Sequence, residues 1–366
     1  GELINGKLMR IHKTIFSSRP DLKAMNTQIQ HYLVNVMEPI LTMAMQLGFE
    51  YPVEIVIEIW KLMFENAAHD SIGSCVSDTT NEDIYMRYKQ ARDISMNLVE
   101  LMLRQISTAI NNPQAKEITF TLFNTYDTKR NGVIEAEVYL PQKDFAILDQ
   151  SGQALPYTIL ELTDQTEYVL NQGNILDPVK EIYLPEKVYK AKIAIETTDV
   201  PSMGYTQLTI DLKGDTSAPL QEITTNTIEN EYYQITVNSN GSLDILDKTN
   251  QGLYQNQGII EENGDDGDSF NYSPPVKDFV ISSIDAQPTI SIQQSAIYQK
   301  IDVVFTLRVP KDLAERAEKK VSASLPIQLT IVLKKQSQQI DFNLTVENQQ
   351  VDSHRVTKMK DILVTM

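Results

Sequence analysis

The sequence predicts an α+β multidomain protein, with an N-terminal antiparallel three-helix bundle followed by antiparallel β-sandwich-like domains. Up to about residue 110, apolar residues recur at intervals of three and four, which is typical of helices that pack on other helices. Beyond Pro113 the apolar residues alternate with polar ones, which favours strands with one buried face. The length of 366 residues is sufficient for two or three domains.

The first helix is predicted to start near Ser18, which forms a helix-start pattern with Pro20 and Asp21. A hydroxyl caps free N–H groups, proline suits the first turn, and an acid interacts with the positive end of the helix dipole. Pro39 lies inside the apolar pattern and should kink the helix. The apolar stripe consists of Ile29, Leu33, Val36, Ile40, Met43 and Leu47.

Two further helices are predicted from the same spacing. The second runs from about Val53 to His69, and its acidic outer face, which includes Glu65, is expected to be solvated. The third is expected to be capped by Thr80 with Asp83. Its predicted core stripe is Ile84, Tyr88, Ala91, Ile94, Leu98 and Leu101. Three long helices with short links predict an antiparallel bundle.

The alternating pattern predicts two β-hairpins in the rest of the chain. Residues 118–122 and 134–140 are expected to pair around Asn131-Gly132, and residues 233–245 are expected to fold back at Asn240-Gly241. Four segments are therefore predicted: a connecting segment 1–19, the helical bundle 20–112, a small β domain 113–222, and the start of a large C-terminal β domain 223–366.

Composition and charge exclude several classes of function. The net charge of -17 argues against nucleic acid and anionic membranes as partners, because both require basic patches. No apolar run approaches the roughly 20 residues that span a bilayer. A single cysteine, Cys75, does not allow an internal disulfide and favours a reducing, cytoplasmic location.

The pair His69-Asp70 is the first candidate site. An imidazole nitrogen is a common metal ligand, and a carboxylate beside it adds a second donor type. The pair alone has no ligand spacing, and a capped helix end with a hydrogen-bonded histidine explains it equally well. The four histidines of the chain are too scattered to form a local metal cluster.

The segment from Glu65 to Asp78 resembles the middle part of the glycoside hydrolase family 38 α-mannosidases, and within that family the bacterial mannosylglycerate hydrolase branch. The segment from Thr227 to Lys248 resembles the start of the same family's C-terminal β domain. The resemblance implies that His69 is a zinc ligand and that Asp70 contacts the bound mannose. It also implies that residues 1–19 connect the bundle to a preceding catalytic barrel.

The resemblance suggests two more contacts to the sugar. His12 falls near a position where relatives line the sugar pocket, although a surface-loop histidine is an equal alternative. Phe270 falls in an acidic loop, residues 264–275, that reaches the active site in relatives, and it replaces a tyrosine there. An acidic turn or a calcium loop remains an alternative for this segment.

The family's activity is the hydrolysis of α-mannosides with retention, by two carboxylates with zinc on the sugar hydroxyls. No part of this sequence resembles the barrel that supplies those carboxylates, so no catalytic residue is assigned. The chain is therefore expected to be a piece of a zinc-dependent enzyme, inactive alone, with the barrel and an α-mannoside as partners. Mannosylglycerate, its phosphorylated form, glycan-derived oligosaccharides and homo-oligomerisation all stay open. The rival hypothesis is a non-catalytic carbohydrate-binding or scaffold protein.

Overall fold

The computed structural model describes residues 15, 18–110, 118–170, 186–215, 217–268, 272–347 and 353–358. Its first part, the helical bundle, has five α-helices and one π-helical segment within the described residues. The α-helices are α1 (Pro20–Tyr32), α2 (Glu38–Gln46), α3 (Val53–Asn66), α4 (His69–Gly73) and α5 (Asp78–Ala109). The predicted class, helices followed by antiparallel sheets, is confirmed.

The first predicted helix is interrupted by a π-helical segment, Leu33–Met37, between α1 and α2. Proline has no N–H to donate, and its ring crowds the carbonyl one turn earlier. The Glu38 N–H, next to Pro39, bonds to the Leu33 carbonyl five residues back. The irregularity predicted at Pro39 therefore takes the form of a wider, π-helical turn just before the proline.

The start of α5 differs from the prediction. The helix begins at Asp78, and the Ser77 hydroxyl accepts the capping bond from the Thr80 N–H. Thr80 thus donates to a cap instead of forming one. Ile94 and Leu101 are 39% and 50% exposed, so these two members of the predicted stripe are wrong. The predicted stripe used alternating steps of three and four residues, whereas an α-helix has 3.6 residues per turn, so in a long helix the stripe gradually rotates away from the buried face. The buried face continues through Ser95, Leu98, Val99, Met102 and Ile106.

Within the described residues, the first β unit contains six strands and one short helix. The strands are β1 (Ile118–Asn124), β2 (Arg130–Leu140), β3 (Ala146–Leu148), β4 (Tyr157–Asp164), β5 (Tyr189–Val200) and β6 (Gly204–Asp211), and the helix is α6 (Thr166–Leu170). They form two antiparallel sheets, β1-β6-β3 and β2-β5-β4. Side chains from both sheets, including Ile193 and Leu208, share one apolar core. This arrangement is a small β-sandwich.

The predicted hairpin between residues 118–122 and 134–140 is wrong. Strand β1 pairs with β6, and β2 pairs with β5. Asn131 and Gly132 lie within β2, at a bulge opposite the end of β5, instead of in a turn. An alternating pattern predicts that a strand exists, but the partner is set by burial of the opposite face in the sandwich.

The second β unit contains the remaining strands. They are β7 (Gln221–Glu222), β8 (Thr227–Glu229), β9 (Tyr233–Val237), β10 (Leu243–Asp247), β11 (Gly252–Gln257), β12 (Ile259–Gly264), β13 (Ile281–Ser282), β14 (Thr289–Gln294), β15 (Tyr298–Val309), β16 (Ala323–Lys334), β17 (Ile340–Val346) and β18 (Ser353–Lys358). A short helix, α7 (Leu313–Ala317), lies between β15 and β16. The sheets β11-β10-β9-β8 and β17-β16-β15-β14-β7 enclose the largest β core, and β13-β12-β18 forms a third sheet.

The predicted hairpin over residues 233–245 is confirmed, because β9 pairs with β10 in register. Gly241 in its turn has φ 83°, and a Cβ there would lie 2.6 Å from Val303 Cγ1. The turn therefore requires glycine for its left-handed backbone and for its close packing on β15.

The two β units pack directly on each other. The buried Thr158 hydroxyl donates to Ser295 Oγ at 2.7 Å, and Ala194 packs with Ile297 and Tyr298. Within the described residues, no helix is both long and apolar enough to cross a membrane.

Candidate functional site at the His69 turn

His69 and Asp70 lie in the first turn of α4, just beyond the end of α3. Helix α3 ends at Asn66, and Ala68 is extended, with φ -53° and ψ 137°. The chain therefore turns before His69. The sequence had predicted a helix that continues to His69, whereas α3 ends three residues earlier. We call the segment from Asn66 to Cys75 the His69 turn.

The two candidate side chains point into solvent, side by side. His69 Nε2 lies 3.3 Å from Asp70 Oδ1, and the side chains are 94% and 64% exposed. An exposed ion pair of this kind contributes little to folding. Both groups are thus available to a ligand without loss of packing.

Asn66 anchors the start of the turn. Its side chain is fully buried, its Nδ2 donates to the Ile84 carbonyl at 2.9 Å, and its Oδ1 accepts from Arg87 Nη1 at 3.0 Å. Arg87 Nε also lies 3.0 Å from Glu65 Oε2, so Glu65 is not only part of a solvated face. Buried amides that satisfy both polar ends fix a backbone strongly. No pattern in the sequence marks Asn66, because its partners Ile84 and Arg87 lie on another helix, α5.

Lys23 anchors the end of the turn. Its Nζ donates to the Gly73 carbonyl at 3.3 Å and lies 3.5 Å from Ser74 Oγ. Burial is the main cause that lowers the pKa of this ammonium group. A Cβ on Gly73 would lie 2.8 Å from Ile15 Cδ1, so the glycine allows close packing. Ser74 follows with φ 62°, which ends the short helix.

Asp268 of the acidic loop acts electrostatically on Cys75 of the His69 turn. Burial raises the pKa of the Cys75 thiol, and the carboxylates of Asp268 and Asp70 raise it further, against the opposite effect of Lys23. Asp265 Oδ1 accepts from the N–H groups of Gly267 and Ser273, both at 3.0 Å, which is turn geometry. Phe270 and His12, the two other predicted sugar contacts, lie outside the described residues.

A buried ion cluster holds the base of this loop. Arg316 Nη2 donates to Glu262 Oε1, and its Nη1 donates to Asp278 Oδ1 at 3.2 Å and to the Phe279 carbonyl at 2.9 Å. Glu262 and Arg316 side chains are 0% and 2% exposed. The Gly264 N–H also donates to Asp278, at 3.1 Å. The sequence offered no pattern that marks these residues as partners.

Zinc is compatible with the His69 turn only as part of a larger ligand set. Imidazole nitrogen and carboxylate oxygen are both zinc ligands, and the exposed pair is accessible to an ion. Zinc sites use three or four protein ligands, however, and no group of three His, Cys, Asp or Glu side chains is placed to hold a metal ion in the part of the chain that the structure describes. The donor set therefore fits zinc if further ligands come from outside these residues.

Two domain profiles from one enzyme family match the chain in order. The alpha mannosidase middle domain matches residues 10–106, and the glycosyl hydrolases family 38 C-terminal domain matches residues 228–361. The chain belongs to glycoside hydrolase family 38. The resemblance found in the sequence is thereby confirmed, and the His69 turn lies inside the family's middle domain.

One individual relative is also similar to the chain. A protein of Halalkalibacterium halodurans described as a putative mannosylglycerate hydrolase is 24% identical over 324 residues, which cover 82% of this chain and 36% of the relative. The chain thus spans about a third of that protein's length.

Two solved structures from Enterococcus faecalis share the fold. One is an alpha-mannosidase, with TM-score 0.76 over 94% of this chain and 43% of its own chain. The other, a family 38 glycosyl hydrolase protein, has TM-score 0.77 over 94% of this chain and 45% of its own. Both are 23% identical to the chain, so the likeness establishes the fold.

Proposed function

We propose that the chain is the middle and C-terminal part of a zinc-dependent, retaining α-mannosidase. In this proposal His69 is one zinc ligand and Asp70 contacts the bound mannose. The observation that supports it most directly is the contrast within the His69 turn. Asn66 and Lys23 fix its backbone, while the two donors beside them are 94% and 64% exposed and have no packing role.

The proposed roles follow from the chemistry of the two side chains. The His69 imidazole offers a nitrogen lone pair, and the Asp70 carboxylate accepts hydrogen bonds from sugar hydroxyls. Bound zinc would supply a positive charge that holds and orients the hydroxyls of the mannose. The remaining zinc ligands, the nucleophile and the acid/base carboxylate are proposed to come from an N-terminal barrel, which is the partner of this chain.

The finer parts of the proposal concern substrate, location and domain limits. The substrate is an α-mannoside such as mannosylglycerate, hydrolysed in the cytoplasm, and His12 and Phe270 are further sugar contacts. The four-part division at residues 19, 112 and 222 belongs to the same proposal. It is supported by the separate apolar cores of the bundle and the two β units.

The decisive test replaces His69 by alanine in the enzyme that includes the barrel. His69→Ala should remove bound zinc, measured by elemental analysis, and nearly all hydrolysis of an aryl α-mannoside, because one of few ligands is lost. His31→Ala, which removes an exposed histidine of the same bundle, is the matched control. Full zinc content and activity in His69→Ala would show that the assignment is wrong.

A second test uses the present chain alone. It should fold, bind zinc weakly and leave an aryl α-mannoside intact, because one ligand and no paired carboxylates are supplied. Zinc-dependent turnover that His69→Ala abolishes would contradict the proposal, since the chain would then hold a complete active site.

A further inference from the structure

A cleft of about 600 Å³ opens at the junction of the two β units. One wall consists of residues of β1, β2 and the loop between them, and the other of the turn between β16 and β17. Its volume is within the range of roughly 300–1,000 Å³ that is usual for small-ligand sites. Every residue that lines it belongs to a β unit or its loops, and none to the His69 turn. We call it the junction cleft.

The apolar part of the junction cleft includes an accessible aromatic ring. Tyr126 is 51% exposed, and the Arg130 guanidinium lies 4.1 Å from its ring centroid. Arg130 covers one ring face, so the exposed area belongs to the other face and the edge. Half-buried Leu122, Phe123 and Ile134 line the cleft beside it. An aromatic face with a polar hydroxyl suits a ligand that has both C–H and O–H surfaces.

The two lysines that line the cleft are already paired with carboxylates. Lys334 Nζ lies 3.0 Å from Glu135 Oε1 and 3.3 Å from Asp341 Oδ2, and Lys335 Nζ lies 2.7 Å from Glu196 Oε1. These lysines are therefore balanced by carboxylates and do not provide a site for an anion. Together with Arg130, which stacks on Tyr126, the lining has three cations, matched in number by Glu135, Asp341 and Glu196. This balance favours an uncharged ligand.

The turn between β16 and β17 presents uncommitted amides on a fixed backbone. Asn230 Nδ2 donates to the carbonyls of Lys334 and Ser337 at 2.9 and 2.8 Å, and the Tyr233 hydroxyl donates to the Gln338 carbonyl at 3.0 Å. The side-chain amides of Gln336, Gln338 and Gln339 make no hydrogen bond to any other described residue. Primary amides both donate and accept, which matches a row of hydroxyls. Because the backbone of the turn is fixed, binding has to order only the side chains.

We propose that the junction cleft binds a neutral oligosaccharide of two or three sugar units. The sugar ring stacks on Tyr126, and its hydroxyls bond to the amides of Gln338 and Gln339. This site goes beyond the proposed mannosidase function, because it needs neither His69 nor a metal ion. It matches the chemistry of a carbohydrate-binding subsite on the β units.

The test titrates the chain with mannotriose and follows binding by calorimetry and by saturation-transfer NMR. Tyr126→Ala should weaken binding about tenfold or more, and Gln338→Ala several-fold. Tyr139→Ala removes an exposed tyrosine of β2 that does not line the cleft, and it should leave binding unchanged. His69→Ala should also leave it unchanged, which separates this result from the test of the mannosidase proposal.

Circular dichroism and thermal unfolding control for folding of each variant. If Tyr126→Ala fails to fold, the double variant Gln338→Ala with Gln339→Ala gives the result, because these side chains are exposed and make no internal bonds. Absence of binding by mannotriose and by a neutral glucose trisaccharide would overturn the proposal. Equal binding by the wild type and by folded cleft variants would overturn it as well.

Discussion

Two of the contacts between an acid and a base in this chain lie in opposite environments. In the His69 turn, the pair of His69 and Asp70 is 94% and 64% exposed. In the second β unit, Glu262 and Arg316 are 0% and 2% exposed, and Asp278 shares the same guanidinium. An exposed pair is worth little to stability, whereas a buried charge that loses its partner is costly. Exposure therefore separates groups available for a ligand from groups that maintain the fold.

The largest expected effect is at Arg316. Arg316→Met should destabilise the second β unit by about 3–5 kcal/mol, because it leaves buried Glu262 and partly buried Asp278 without their partner. The measurement is a urea titration in which hydrogen exchange identifies the transition of β12.

Arg308→Met is the control for Arg316→Met. Arg308 is an exposed arginine of the same unit that bonds to Ser322 and Ser324. A similar loss of unfolding free energy in the two variants would contradict the distinction between buried and exposed charged groups.

Asn66→Ala should be the next largest change, at about 1–3 kcal/mol, because Ile84 and Arg87 lose a buried partner. Trp60 is the only tryptophan and lies in α3, so its fluorescence reports unfolding of the bundle. Asn97→Ala on the exposed face of α5 is the matched control. A loss no larger than that of the control would mean that Asn66 does not anchor the His69 turn.

A pH effect is expected beside Arg316. Lys320, Ser322 and the Lys311 N–H lower the pKa of Glu315 from 4.5 to about 2. Its stabilising contribution should therefore be complete above pH 4.5 and decline as the pH falls toward 2. The urea midpoints of the wild type and Glu315→Gln should converge between about pH 6 and about pH 3.

Glu318→Gln, an exposed neighbour of the same segment, is the control for Glu315→Gln. A gap between the wild type and Glu315→Gln that widens as the solution is acidified would contradict the sign of the pKa shift.

The smallest expected effect is that of His69→Ala on the isolated chain. The loss should be below about 0.5 kcal/mol, because the ring is exposed and its pair is solvated. Trp60 fluorescence in urea measures it. A loss as large as that of Asn66→Ala would give His69 a structural role and weaken its assignment as a free ligand.

The sequence predicted those features that depend on neighbours along the chain. The start of α3 at Val53 and the hairpin at Asn240-Gly241 follow from periodicity and turn chemistry. The metal and sugar roles of His69 and Asp70 came only from the family resemblance, and they stay predictions.

The failures in strand pairing and in side-chain contacts share one physical cause, which is distance along the chain. The pairing of β1 with β6 joins residues 118–124 to 204–210, and Arg316 contacts Glu262 across 54 residues. Lys23 reaches the Gly73 carbonyl across 50 residues. Local propensity carries no information on such partners, because they are selected by burial in the finished fold.

The π-helical segment, Leu33–Met37, has a consequence for how sequences of this kind are aligned. In a π-helical turn each backbone N–H bonds to the carbonyl five residues earlier, so the turn contains one residue more than an α-helical turn. It sets the rotational phase between Lys23, which bonds to the His69 turn, and Glu38, which accepts from Trp60 Nε1 at 2.9 Å. A relative with one residue fewer between these two positions keeps both contacts if its helix is a plain α-helix. When such a relative is aligned with this chain, the one-residue gap belongs within residues 33–37. An alignment without that gap would match every residue from this segment back to Lys23 with the wrong residue of the relative.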